Sequence, residues 1–426
     1  MSSHVECMKS ELDLFEPHPT QSSILRTEEV SYNPIASLDG ASSIEFVCLG
    51  NGETYRDLSS VYLRLLVQLK RQDNTDLPNN SVSVVNNILH SIFRSSSIYL
   101  NNTLVSQSDN NYHYRSYLQT ILNYGSDASE SHLATQGYYA SYVRQNIAVD
   151  GSETLKNLFQ KSNKVELFGK VHGDILNQPK LLINNVDLRI TFNIEKTSFY
   201  LMESETESNL KILEAQLFMN HVTVNPSILL AHHRVLQSKN ALYPYNKVEV
   251  KSFTLYPGNN TLSIDNAVIG QLPNFIAFCM VKNRAYSGNR ILDPFKFEHF
   301  KIQRFNLLVN GVQVPSQALE FDFSNPENIR SARGYNMLFR ANGIKHFDRG
   351  LQITKEMFDT NYFILAFDLT ADHSNSSVCS NLVNQGTIRI EGRFAEALDE
   401  AVTCLVYCEY DSMIDIDKHR NIRILL

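Results

Sequence analysis

The sequence predicts an all-β chain folded as two similar sandwich domains. Three observations predict it. Apolar residues recur with a period of two along many segments. The 426 residues exceed what one hydrophobic core usually organises. A strand–turn–strand motif near Ser97 also returns 209 positions later, near Asn306.

The alternation is clearest in three places. In Val61–Lys70, Leu63, Leu65, Val67 and Leu69 alternate with Arg64, Gln68 and Lys70, and Leu66 interrupts the polar face. In Leu188–Glu195, Leu188, Ile190, Phe192 and Ile194 alternate with Arg189, Thr191, Asn193 and Glu195. In the last segment, Val402, Cys404, Val406 and Cys408 alternate with Thr403, Leu405, Tyr407 and Glu409. A period of two places one face of each segment on a core. Around Lys247–Leu255 the parity slips from Val248 and Val250 to Phe253 and Leu255, which predicts a bulge.

The recurring motif is Ser97-Ile98-Tyr99-Leu100-Asn101-Asn102-Thr103-Leu104-Val105 and Asn306-Leu307-Leu308-Val309-Asn310-Gly311-Val312-Gln313-Val314. Asn-Gly supplies the positive φ values of a two-residue hairpin. Each copy sits early in its half, as one hairpin of two similar domains would. Asn pairs at 79–80, 86–87, 101–102, 110–111, 184–185 and 259–260 read as turns, because Asn tolerates left-handed backbone.

Helices are few. Tyr114, Tyr117, Leu118, Ile121 and Leu122 form one stripe over Tyr112–Tyr124, expected to pack on a sheet. Asn110 or Asn111 is expected to cap its start and Gly125 to follow its end. Shorter helices are expected at Thr154–Lys161 and Thr354–Phe358. Mostly strand with small helices in connections favours sandwiches over alternating strand–helix units.

Composition narrows the function. Charged residues make up 19% and the net charge is −7. Residues 1–30 carry Glu6, Glu11, Asp13, Glu16, Glu28 and Glu29 against Lys9 and Arg26. That is the reverse of a nucleic-acid-binding arm. Met1–Glu11 lacks the apolar run of a secretory leader, and no segment is long and apolar enough to span a membrane. The six cysteines are scattered. Cys404 and Cys408 share one strand face too far apart to bridge, so reduced, buried thiols are expected. Sequons at Asn79, Asn101, Asn259 and Asn375 are expected to stay unmodified.

No nucleotide-binding, metalloprotease, serine-hydrolase or paired-cysteine motif is present. His232-His233 point apart within one element and read as loop or surface. Asp411, Asp415 and Asp417 lack the partners of a calcium loop and read as a solvated strand end, balanced by Lys418, Arg420 and Arg423. The chain has no Trp, which disfavours a carbohydrate platform. No catalytic residue, cofactor or metal is expected. An all-β chain without a site is usually built for association, and jelly rolls, with loops at both ends, suit that role.

Specific blocks carry a resemblance. Ile44-Glu45-Phe46, Tyr55-Arg56-Asp57-Leu58 and Val61-Tyr62-Leu63 open it. Asn86-Asn87-Ile88-Leu89-His90-Ser91-Ile92-Phe93, Tyr99-Leu100-Asn101 and Tyr112-His113-Tyr114-Arg115-Ser116-Tyr117-Leu118 continue it. Later blocks are Phe367-Asp368-Leu369-Thr370, Gly386-Thr387-Ile388-Arg389-Ile390, Val406-Tyr407, Ile414-Asp415-Ile416-Asp417 and Arg420. Together they resemble hexon-like double jelly-roll major capsid proteins of adintoviruses and of Polinton/Maverick elements integrated in animal genomes.

The resemblance spans residues 30–426. It implies two consecutive eight-stranded jelly rolls with short helices in connecting loops, at 36–225 and 226–426, after an acidic arm at 1–35. It implies a homotrimer of pseudo-sixfold outline that tiles an icosahedral virion shell. Penton and minor capsid proteins would be partners, with no direct nucleic-acid contact. The chain would be made inside the host cell, in nucleus or cytoplasm, and end in the capsid. Short outer loops are expected.

Exposed ends are the candidate trimer and capsomer contacts: Asn51 and Tyr55 in the loop Gly50–Tyr55, Asn259 and Asn260 in a turn, and Arg333 and Tyr335 in Ser331–Tyr335. His113 is either a pH-dependent assembly switch or a partly buried side chain donating to a backbone carbonyl. The alternatives are a domesticated, non-assembling binding protein of the same fold, a lectin-like or glycan-processing sandwich, and a penton protein.

Overall fold

The computed structural model describes residues 12, 14–15, 20–77, 82–108, 110–140, 142–144, 147–149, 151–203, 208–324, 329–344, 350–375 and 380–425. Cys7, Cys379 and the Asn79–Asn80 turn lie outside these residues.

Two successive groups of eight strands build four large sheets. The first group is β1 (Ile24–Tyr32), β2 (Ser43–Cys48), β3 (Thr54–Arg71), β4 (Phe93–Leu100), β5 (Thr103–Ser108), β6 (Lys164–Lys170), β7 (Leu188–Ile194) and β8 (Ser208–Val224). Its sheets run β1-β8-β3-β6 and β2-β7-β4-β5. The second group is β9 (Ala241–Leu255), β10 (Thr261–Gln271), β11 (Phe275–Lys282), β12 (Ile302–Val309), β13 (Val312–Glu320), β14 (Ile364–Asp368), β15 (Gln385–Phe394) and β16 (Val402–Ile416). Its sheets run β9-β16-β11-β14 and β10-β15-β12-β13. Every second-group strand occupies the place of the strand eight earlier. A short β17 (Ile422–Leu425) adds to β16.

This order is a nested hairpin rolled into a sandwich. β4 pairs with β5, β3 with β6, β2 with β7 and β1 with β8, all antiparallel. That is the jelly-roll topology. The repeated sequence motif is the innermost hairpin of each roll. Its turns take left-handed φ values of 43° and 66° at Asn101 and Asn102, and of 50° and 79° at Asn310 and Gly311. Left-handed Asn also stands at 87, 110 and 185, within three other Asn pairs.

Alternation sets the cores. Leu63, Leu65, Val67 and Leu69 are fully buried, as are Leu188, Ile190 and Phe192. The apolar sides of both sheets meet there and exclude water. β16 departs from the expected alternation, because Val402–Cys408 are buried on both faces. Cys48, Cys279, Cys404 and Cys408 are buried, unpaired thiols.

Antiparallel order sends successive connections to opposite ends of a roll. The longest, 109–163 and 321–363, each join the fifth strand to the sixth and lie at one end, here the top. The first holds α1 (Tyr112–Asn123) and the second α3 (Ala332–Ala341). At the base, α2 (Pro226–Leu236) links the rolls. Both rolls stand the same way up. Tyr117 in the first top connection meets Tyr362 in the second, while Arg420 at the base binds Asn184 and Asn101.

Several sequence expectations change. There is no bulge at Lys247–Leu255, since β9 pairs with β16 in unbroken register. The parity slips because β9 runs along the first roll there: the Val248 N–H donates to Asp174, and the Val250 carbonyl accepts from Asn111. Asn111 precedes α1 but does not cap it, because its amide is engaged by Val250 and Tyr286. Gly125 is not left-handed, and the helix ends on extended Tyr124.

The expected 154–161 helix runs Gly151–Leu158, followed by a tight turn at Gln160–Ser162. The 354–358 helix is Lys355–Thr360, with Thr354 capping Met357 N–H. His232 and His233 lie on α2, an exposed helix started by Pro226 and capped by Asn225, rather than in a loop. Residues 24–32, inside the segment read as an arm, form edge strand β1 on β8.

One prediction follows from the hairpin turns. Gly311 has φ 79° and nothing near its Cβ position. Gly311→Val therefore meets strain rather than a clash, and is expected to lower unfolding free energy by about 1–2 kcal/mol. Urea unfolding checks it, and an unchanged midpoint would contradict the left-handed turn.

Candidate assembly surfaces

α1 is the centre of the junction between the rolls. Residues 112–122 are all buried. Its tyrosines do not share one sheet, as the single stripe suggested. Tyr112 packs edge-on to Phe192 in the first core. Tyr114 and Tyr117 reach the second roll: Tyr117 stacks on Phe295 at 4.1 Å, and Tyr114 stacks on Tyr286 at 5.6 Å. Rings in offset or edge contact are favoured beyond their buried area.

Between these rings lies a buried ion pair. Arg115 Nη2 stands 2.6 Å from Asp174 Oδ1. The same oxygen accepts the Val248 N–H at 3.0 Å, and Oδ2 accepts the Ser106 hydroxyl at 2.9 Å. Asp174 therefore joins α1, β5 and the second roll's β9. Nearby, Tyr407 donates to Glu409 at 2.5 Å, and burial pushes the Glu409 carboxyl above its ordinary range. Near the top, Arg290 pairs with buried Glu203 across the rolls.

Three histidines crowd α1: His90 and His113 are buried and His172 is half-buried. The His90 and His172 rings lie 4.7 Å apart, and His172 Nδ1 meets Gln119 at 2.8 Å. His113 packs 4.1 Å from Phe199, with Nε2 3.6 Å from Glu195. It is fully buried rather than partly so. Desolvation holds His90 and His113 at about 3 and His172 well below the ordinary value. For His113 this outweighs a hydrogen bond to the Asn111 backbone that favours the proton. A neutral His113 at physiological pH is not poised as a switch.

Two surfaces resemble halves of this junction but are left uncovered among the described residues. On the outer face of β1-β8-β3-β6, half-buried Tyr62 stacks on Phe168 at 5.2 Å, and Phe168 meets Phe218 at 5.9 Å. The signal was legible, because these aromatic residues occupy outward positions of alternating strands. On the second roll, α3 fills the connection that α1 fills in the first, yet Ala332, Arg333, Asn336 and Arg340 are exposed.

The sequence-predicted contacts fall unevenly on these surfaces. Asn51 is exposed but organises its own turn, accepting from Glu53, Thr54 and the Thr54 hydroxyl. Tyr55 is buried, not an exposed end; as the second residue of β3 it faces α2 and bonds His232 at 2.9 Å. Asn259 and Asn260 are exposed in the β9–β10 turn. Arg333 lies on α3, bound to the Ala318 and Gln317 carbonyls. Tyr335 is half-buried between Phe339 and Phe358. The six residues do not form one cluster.

The acidic cluster is structural. Asp411 accepts from Asn381 N–H, Asp415 from Asn240, and Asp417 closes the turn to Asn421. Arg420 does more than balance charge, since it ties the C-terminal turn to the first roll. Among the described residues no three His, Cys, Asp or Glu side chains are grouped to hold a metal, and no helix is long and apolar enough to cross a membrane.

Comparison with solved structures decides the architecture. A chain of the Sputnik virophage structure matches with a TM-score of 0.67 at 12% identity, covering 99% of this chain and 93% of its own. The fold is the double jelly roll. The PBCV-1 virus capsid chain shares it at a TM-score of 0.61 and 7% identity, with 97% and 99% covered. The mavirus major capsid protein does so at 0.50 and 10%, with 99% and 96% covered. In sequence, an uncharacterized Caenorhabditis elegans protein, F54H12.2, is 23% identical over 405 residues, spanning 88% of this chain and 92% of its own. No protein-family model matches.

The double jelly roll's junction yields two predictions. Arg115→Ala leaves Asp174 buried without its cation, and is expected to cost about 3–5 kcal/mol. Replacing both, as Arg115→Met with Asp174→Leu, should cost less than that single change. Denaturant unfolding of the three proteins checks the order.

The second concerns acid. The unfolded chain protonates its histidines below about pH 6.5, whereas His90, His113 and His172, packed around α1, stay neutral. Unfolding thus takes up protons between about pH 3 and 6.5. Their stabilisation is complete above 6.5 and falls with pH, by up to about 1.4 kcal/mol per unit for each histidine. Glu409, pushed upward by burial, works oppositely: the stability it lends is full below its unfolded value and is lost as pH rises. With three histidines against one carboxyl, the melting temperature is expected to drop from pH 7 to 5. His172→Gln should flatten that drop, and identical slopes would refute the assignment.

Proposed function

We propose that this chain is a major capsid protein that assembles as a homotrimer of pseudo-hexameric outline and tiles an icosahedral virion shell. The observation that carries the reading is the repeated roll with one junction made and one left open. Inside the chain, the helix of the first top connection is buried against the second roll. The helix of the second top connection, α3, and the aromatic outer face of the first roll have no such cover among the described residues.

A head-to-tail ring satisfies both. If α3 of one chain sits against Tyr62, Phe168 and Phe218 of the next, each chain repeats between subunits the contact it makes within itself. Six similar wedges then close as three chains, a heterologous ring rather than an open fibre. Arg333 and Tyr335 fall at this contact. Asn51, Asn259 and Asn260, on exposed turns, suit contacts between trimers.

The fold shared with the Sputnik, PBCV-1 and mavirus chains supports the capsid reading. A nematode relative along most of the chain supports descent from elements integrated in animal genomes, the Polinton and adintovirus lineage. Penton and minor capsid proteins are the partners such a shell requires, and the virion is the place of function.

Light scattering on a sizing column tests the reading. The expected mass is about 145 kDa, three chains of 48.5 kDa. Phe168→Glu, on a half-exposed position, should give a folded monomer with a melting temperature near the parent's. A parent that stays monomeric at every concentration, salt and pH, with and without co-expressed capsid partners, would overturn the proposal.

A further inference from the structure

At the base, between the two rolls, lies an open apolar groove of about 510 Å³. Ile24, Val224, Ile228, Val235, Leu242 and Tyr243 supply its apolar wall. Lys180, Lys239 and His232 also line it, and no Asp or Glu does. Around it Leu25, Leu230, Val235 and Leu242 are exposed by 59, 51, 53 and 45%. An apolar cleft with a basic rim calls for an acidic and apolar occupant.

We infer that the occupant is the chain's own N-terminal segment, Glu11-Leu12-Asp13-Leu14-Phe15-Glu16. Three observations single it out. Glu11 to Leu14 alternate acid and apolar residues, so an extended strand places Leu12 and Leu14 on one side and Glu11 and Asp13 on the other, with Phe15 following on the acidic side. Leu12, Leu14 and Phe15 are 63, 75 and 94% exposed, apolar surface without cover. The chain also enters the fold at the groove itself, because Ser23 and Ile24 form part of its lining. Extended chain from Phe15 to Ser23 reaches at most about 28 Å. The tether is thus long enough for docking within one chain, with the carboxylates toward Lys180 and Lys239. The inference goes beyond the capsid reading and holds whether or not the chain builds a shell.

Cross-linking in the full chain tests it. Phe15→Cys and Val235→Cys are introduced with Cys7→Ser and Cys379→Ser; Cys48, Cys279, Cys404 and Cys408 are buried. A short bismaleimide is added to a mixture of light and isotope-labelled chains, and the linked peptides are read by mass spectrometry. The expected result is a 15–235 link within single chains, independent of dilution. Its yield should fall about tenfold when Leu12→Ser and Leu14→Ser remove apolar contacts worth at least a decade in binding. Lys180→Glu with Lys239→Glu should also lower it. An unchanged yield in the serine variant would mean tethering without docking and would overturn the inference. Links only between light and heavy chains would overturn it in favour of a second copy, and no link at all would refute it outright.

Discussion

A helix with no solvent face constrains everything placed around it. α1 carries Arg115 into the junction between the rolls, and a buried guanidinium without an anion is costly. Asp174 supplies the anion and in turn requires donors for its remaining lone pairs. Ser106 gives one from the first roll and the Val248 N–H gives another from the second. Satisfying one charge thus fixes β9 against β5 and α1. A slip or rotation of one roll against the other breaks at least one bond to a buried charge. The pair contributes orientation more than net stability.

The second constraint is repetition. Two nested hairpins with the same order stand the same way up, and each carries a helix in the same connection. Similar parts in similar places invite similar contacts. Among the described residues of one chain, only the first of two possible junctions closes. That asymmetry, rather than any single residue, makes the surface of the chain directional.

Much of this was legible in sequence where local physics decides. Alternation located β3, β7 and β16, and Asn310-Gly311 marked a hairpin whose counterpart at Asn101-Asn102 proved to be the same element of the other roll. The α1 stripe was equally plain. What α1 packs on was not, because a helix stripe does not say which of its rings face which domain. Arg115 and Asp174 are 59 residues apart, so their pairing is invisible to spacing. The slip near Val248 looked like a bulge because covering by another domain changes burial without changing register. Tyr55 looked like a loop end, although its strand begins one residue earlier. For α2, Asn225 and Pro226 offered a cap and a first-turn proline, and the adjacent histidines drew attention from them.

The junction inside the chain and the contact proposed between chains also differ in kind, and the difference would suit folding first and associating later. The internal junction is charged, buried and hydrogen-bonded across both rolls. Desolvating Arg115 and Asp174 is tolerable when the covalent chain already holds the partners close. Two separate chains meeting in water would face that cost together with lost translational freedom. The surfaces left for association avoid it. Tyr62, Phe168 and Phe218 offer rings already packed on one another, and α3 offers a helix already formed, with Tyr335 fixed by Ile353. Contacts of that sort order few side chains on binding and strand no charge when they separate. A lattice grown from such contacts, as proposed above, would release a misplaced subunit without unfolding it, while each subunit kept its own two rolls locked.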